Sequence, residues 1–144
     1  MIWVVTQSLL MAGIAVSWLF QPRPHGLAPH AVGWVLIGVG LALAVGTRLA
    51  LGKSFTVLPQ PRARSELVTT GPFRLVRNPM YLGLILVFAG ASLNRSWIGL
   101  GLTGALAVLW ACKARVEERY LAAQFPEYVE YSARVRYRLV PFVY

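Results

Sequence analysis

Two adjacent carboxylates, Glu117 and Glu118, follow within about one helical turn of an uninterrupted apolar run, Trp97 to Cys112. At that depth a carboxylate loses hydration and needs a cationic partner. Lys113, Arg115 and Arg77 are the candidates for a structural salt bridge with them. The same acids suit acid–base or cation-binding chemistry, and spacing alone leaves both readings open, structural pairing being the commoner outcome.

The second polar segment is Leu67-Val-Thr-Thr-Gly-Pro-Phe-Arg-Leu-Val-Arg-Asn-Pro-Met-Tyr-Leu-Gly83. Gly71-Pro72 breaks the chain, Asn78 is placed to cap a helix, and Pro79 suits that helix's first turn. Arg74 and Arg77 have the character of interfacial anchors meeting anionic headgroups, and Tyr81 that of an interfacial belt residue.

These segments sit in a very apolar chain. Of 144 residues, 57% are hydrophobic and 13% charged, which predicts one membrane domain over residues 1–144. The net charge of +9 does not imply nucleic acid, because the basic residues flank the apolar runs and no base-reading motif is present. Cys112, the single cysteine, falls in an apolar run and reads as buried filler. His25 and His30 lie in a Pro-rich loop without a nearby carboxylate, so no metal site is expected.

Ile2 to Phe20 has no charge and about the length needed to cross a bilayer. It lacks the basic start and small-residue cleavage site of a signal peptide, so a spanning helix is expected. A linker with Pro22, Pro24, Gly26 and Pro29 follows, then a second span, Ala31 to Leu51, with Arg48 near its end. The stretch Gly52 to Pro79, with Lys53, Arg62, Arg64, Pro59 and Pro61, reads as a polar, irregular loop. Met80 to Leu93 and Trp97 to Cys112, separated by Asn94-Arg95-Ser96, predict a tight helical hairpin. From Lys113 the pattern turns amphipathic, predicting a cytoplasmic helical tail that ends near Pro141.

The expected fold is therefore an all-α integral membrane protein of about four transmembrane helices with a cytoplasmic amphipathic C-terminal helix. Four spans put twelve of the fourteen Lys and Arg on one side, leaving Arg23 and Arg95 opposite. The positive-inside rule then places both termini in the cytoplasm of a multi-pass protein of an inner or plasma membrane.

Taken together, "LVTTGPFRLVRNPMYLG" and "RVEERYLAAQFPEYVEYSARVRYRLVP", in order around an apolar hairpin, resemble the catalytic core of the isoprenylcysteine carboxyl methyltransferase family and its phospholipid methyltransferase relatives. The resemblance covers roughly Lys53 to Phe142. It makes 52–144 the catalytic core and leaves 1–51 as two additional spans that match in hydropathy alone. It implies S-adenosyl-L-methionine as cofactor, bound at the cytoplasmic face by Leu67, Val68, Phe73, Asn78, Pro79, Met80, Tyr81 and Glu117. It also implies a lipophilic or lipid-linked methyl acceptor that enters from the membrane lipids.

Within that resemblance, Ser65 and Asn78 stand where the carboxyl methyltransferases commonly carry histidine, and Phe73 stands where tyrosine is usual. The substrate-orienting arginine of the family maps to Lys113, with Arg115 two residues later; a lysine holds a carboxylate as a point charge, not as a bidentate fork. Methyl transfer from a sulfonium is an in-line displacement, aided mainly by alignment and exclusion of water. A carboxylate or thiolate acceptor would be positioned by Lys113 or Arg115, with Arg77 as a further partner. An amine acceptor, as in a phosphatidylethanolamine-type N-methyltransferase, would need Glu118 to take its proton. A noncatalytic module binding anionic lipid through the basic loop is the competing class.

Overall fold

The computed structural model describes residues 2–20, 27–52 and 67–140. The linker residues Pro22, Pro24 and Gly26, the loop residues Lys53, Pro59, Pro61, Arg62, Arg64 and Ser65, and the tail from Pro141 lie outside the described residues.

The described residues are mostly helical and contain no strand. Helix α1 covers Ile2–Phe20 and α2 covers Leu27–Leu51. A 3₁₀ turn at Gly71–Arg74 leads to α3, Pro79–Arg95, which is followed by α4, Trp97–Gln124, and a short α5, Tyr128–Arg134. Gly71 adopts φ +62°, a left-handed conformation that glycine enters without steric cost, and Pro72 then fixes the turn.

Three helices are long and apolar enough to cross a membrane: α1, α2 over His30–Leu51, and α4. Helix α3 has 17 residues, a shorter run than the others. Outward-facing side chains such as Leu9, Leu19, Trp34, Val35 and Leu49 are exposed, as expected of surfaces solvated by lipid tails.

Two helix boundaries differ from the sequence reading by more than two residues. Helix α2 begins four residues before Ala31, with Pro29 accommodated in its first turn, where proline's missing N–H has no intrahelical partner to lose. Helix α4 does not stop at Cys112. It continues for 28 residues, because Lys113 to Gln124 is rich in Ala, Leu, Glu, Arg and Lys and contains no Gly or Pro before Pro126. At 1.5 Å per residue it is about 42 Å long, so roughly its last two or three turns project beyond a 30 Å hydrocarbon core. The amphipathic stretch is thus largely the end of a spanning helix, with α5 a separate helix of about two turns beyond Phe125-Pro126. Cys112, expected as filler, is exposed on the outside of α4.

Helices pack in the order α2, α3, α4, α1. Helices α2 and α3 run antiparallel, with Gly33 meeting Gly90 and Gly40 meeting Gly83. A methyl group added at Gly83 would lie 2.7 Å from the Gly40 carbonyl oxygen and 2.8 Å from the Ala44 nitrogen. Small residues here replace the hydrophobic driving force that lipid cannot supply between helices. Gly83→Ala is expected to destabilise the folded protein by at least about 1–3 kcal/mol, an overpacking cost read as a lowered melting temperature in detergent.

Between α1, α3 and α4 lies the apolar core of Ile14, Leu106 and Trp110, flanked by Met11, Trp18, Phe88 and Leu102. At the hairpin end, the buried Ser96 caps α4 by accepting the Gly99 N–H at 3.0 Å. Nearby, the Trp18 indole donates to Ser92 Oγ at 3.2 Å. The opposite end, where α2 and α4 finish and α3 starts, carries the polar residues of interest.

Candidate functional site

Glu117 and Glu118 leave α4 in different directions, as successive residues on a helix must, and enter two separate sets of contacts. Tyr81, on the first turn of α3, donates its hydroxyl to Glu117 Oε1 at 2.7 Å. Lys113, one turn before Glu117, is buried and places Nζ 3.8 Å from the same oxygen. That ammonium also lies 5.4 Å from the centroid of the Tyr81 ring, and Tyr81 stacks on Trp110 with centroids 5.4 Å apart. From α1, Gln7 Oε1 accepts from Trp110 Nε1 at 3.1 Å and from Lys113 Nζ at 3.4 Å. An acid, a cation, a phenol and an amide are thereby gathered where three helices meet.

Glu118 does different work. Its Oε2 accepts from Arg77 at 3.2 Å and from Arg138 Nε at 2.8 Å, and its Oε1 accepts from Asn78 Nδ2 at 3.0 Å. The main chain reinforces this: Arg77 N–H donates to the Tyr137 carbonyl at 2.9 Å and Asn78 N–H to the Arg138 carbonyl at 3.0 Å. Asn78 does occupy the N-cap position of α3, with Pro79 following, but its side chain makes no capping bond. Its amide is spent on Glu118 and on the Arg138 carbonyl. Segment 136–138 is in this way pinned against the start of α3 with Glu118 at the centre.

Leu67, Val68 and Phe73 pack with Tyr128, Tyr131, Leu121 and Phe125 in a second apolar cluster. The Tyr131 hydroxyl donates to the Phe73 carbonyl at 2.8 Å, which fixes α5 on the 3₁₀ turn. Burial pushes the Tyr128 and Tyr131 hydroxyls well above the usual range, so both stay protonated. Leu121 is one turn beyond Glu117 on the same face of α4, so this apolar wall begins where the acidic cluster ends. Pro79 is buried and Met80 half-buried at the start of α3.

The residues singled out from sequence therefore divide. Tyr81, Glu117 and Lys113 form one cluster; Arg77, Asn78 and Glu118 form a neighbouring one; Leu67, Val68 and Phe73 line the adjoining wall. Arg115 is exposed on the far side of α4, away from Glu117. Gln7, Trp110, Arg138 and Tyr131 were not singled out. Gln7 had a signal, a polar amide inside an otherwise apolar helix; Arg138 had none, since its role depends on the chain returning 20 residues later.

The fold and these clusters define a multi-helix membrane protein with a polar site at one end of its helices. The chain belongs to the phospholipid methyltransferase family, whose sequence profile matches residues 28–128. It is 33% identical over 108 residues to the rat phosphatidylethanolamine N-methyltransferase, covering 71% of this chain and 54% of that protein. The human phosphatidylethanolamine N-methyltransferase is 33% identical over 110 residues, covering 72% of this chain and 55% of that protein. The cobalt-zinc-cadmium resistance protein CzcN of Cupriavidus metallidurans is 36% identical over 75 residues, covering 51% of this chain and 35% of that protein. The matched regions thus span about half or less of the length of these relatives.

Proposed function

We propose that this chain transfers a methyl group from S-adenosyl-L-methionine to a lipid or lipid-linked acceptor at the cytoplasmic face of its membrane. The observation that carries this reading is the Tyr81–Glu117 hydrogen bond beside the buried Lys113 ammonium, on the first turn of a proline-started helix. The donor set fits the cofactor: a carboxylate, 18% exposed, stands ready for a cationic group, and an apolar wall of Leu67, Val68 and Phe73 starts one turn away to receive an adenine. When bound, S-adenosyl-L-methionine supplies an electrophilic methyl carried on a sulfonium.

The chain's own residues would orient and desolvate. Tyr81 fixes the Glu117 carboxylate, Trp110 and Tyr81 keep water from the inner side, and Gln7 and Lys113 hold the acid's surroundings in place. Glu118 is read as a positioning residue, because Arg77, Asn78 and Arg138 already occupy its oxygens. An amine acceptor would therefore shed its proton to Glu117 or to water.

The names of the family and of the rat and human relatives support a phospholipid headgroup amine as acceptor. Lys113 favours a second reading: a buried cation beside the site suits an acceptor carboxylate, as in the isoprenylcysteine carboxyl methyltransferases. Arg115, on the other side of α4, is not well placed for that role. The folded, purified protein given methyl-tritiated S-adenosylmethionine and a membrane lipid extract is expected to pass label to the lipid fraction. Base-stable label marks an amine, and base-labile label marks a carboxyl ester. Absence of label from every lipid fraction would overturn the reading.

A further inference from the structure

Helix α1 contains no Asp, Glu, Lys or Arg, and the family profile, which starts at residue 28, does not include it. A polar side chain buried in such a span is costly unless a neighbouring helix partners it. Gln7 is buried, and the two donors it meets are both on α4: its Oε1 accepts from Trp110 Nε1 at 3.1 Å and from Lys113 Nζ at 3.4 Å. An indole N–H and an ammonium can only donate, so the amide oxygen must face them, and both of its lone pairs are committed.

Those two donors are the ones that adjoin Glu117. Trp110 stacks on Tyr81, whose hydroxyl holds Glu117 Oε1, and Lys113 approaches the same oxygen at 3.8 Å. Both contacts thus fall on Oε1, and Oε2 has no partner among the described residues. The ammonium lies nearer the neutral amide than the acid, at 3.4 Å against 3.8 Å. A cation held back in this way neutralises a carboxylate less than one drawn into direct contact. Gln7 therefore leaves Glu117 with charge, and with one oxygen, for a cationic ligand.

We propose that Gln7 is a positioning residue of the methyl-transfer site, restraining Lys113 and the Trp110–Tyr81 stack so that Glu117 stays open to the cofactor's ammonium group. Helix α1 is then a working part of the site and not a spare anchor. The inference rests on the reading of Glu117 as the acid that meets the cofactor. Without the amide oxygen, Lys113 would close on Glu117 and compete for it, and the buried Trp110 indole would be left without its acceptor.

The full chain, reconstituted in phosphatidylcholine nanodiscs, is titrated calorimetrically with S-adenosylhomocysteine, which keeps the ammonium and carboxylate of the cofactor. Gln7→Met retains the reach and flexibility of the side chain without its acceptor. It is expected to weaken binding about tenfold, the scale of one hydrogen bond to a charged group, with the number of sites per chain unchanged. A merely structural fault would do the reverse, lowering the number of sites and leaving their affinity alone. Ile14→Val trims the same α1–α4 contact about two turns further along α1 and is expected to change the affinity less than about twofold. Wild-type affinity in Gln7→Met, failure of that variant to fold, or an equal loss in Ile14→Val would overturn the role of Gln7 and leave the methyl-transfer reading in place. Absence of binding to the folded wild type would overturn that reading, and this inference with it.

Discussion

Glu117→Gln is expected to lower methyl transfer by at least about a hundredfold, the scale of losing one preorganised electrostatic partner in a water-poor site. Glutamine keeps the length and can still accept the Tyr81 hydroxyl, but it carries no charge. A cationic cofactor group facing this position would lose its counter-ion, and the buried Lys113 would lose its neighbouring anion. Calorimetric titration with S-adenosylhomocysteine separates this from misfolding, since binding should vanish while helix content and membrane insertion are retained. Near-normal turnover in the variant would remove Glu117 from the site. Normal binding with lost turnover would instead move it from holding the cofactor to acting on the acceptor.

Glu118→Ala is expected to act on stability first. The substitution removes the carboxylate that Arg77, 14% exposed, and Arg138, 26% exposed, both engage, and it leaves the Asn78 amide nitrogen with the Arg138 carbonyl as its acceptor. Removing one partner of a buried ion pair costs about 3–5 kcal/mol, and the partial exposure of Arg138 puts the value near the lower end. Unfolding in detergent measures the loss. Limited proteolysis is expected to cut the variant after α5 sooner than the wild type, because segment 136–138 is held to α3 largely through this acid and its neighbours. Unchanged stability would show that the main-chain hydrogen bonds of Arg77 and Asn78 suffice without it.

The contrast between these neighbouring acids shows what the sequence made legible. The long helices followed from uninterrupted apolar runs, and the hairpin from the short polar break before Trp97. The end of α4 did not follow, because the change from apolar to charged residues at Lys113 marks where a helix leaves the membrane and not where it stops; Pro126 is the stop. Tyr81 and Glu117 were both singled out through the resemblance, and the structure joins them. The pairing of Glu118 with Arg77 was among the structural alternatives for the acids, whereas Arg138 is brought to the same oxygen by a turn after Phe125 and an extended return that periodicity does not encode. Asn78 was expected as a cap from its place before Pro79, but its amide nitrogen donates to Glu118 and to the Arg138 carbonyl, and its oxygen makes no capping bond.

The latch around Glu118 also sets an order of assembly during biosynthesis. Once residues through Arg95 have been made, α2 and α3 can close on their glycines, and α4 can follow into the bilayer as a complete span. Residues 136–138 are synthesised only later, and until they fold back, the first turn of α3 lacks the carbonyls that receive Arg77 and Asn78. A chain stalled after α4 would therefore be inserted and helical, yet without the contacts that close this end of the helices. Because chains are made from the N-terminus onward, insertion and maturation become separable events in the life of this protein.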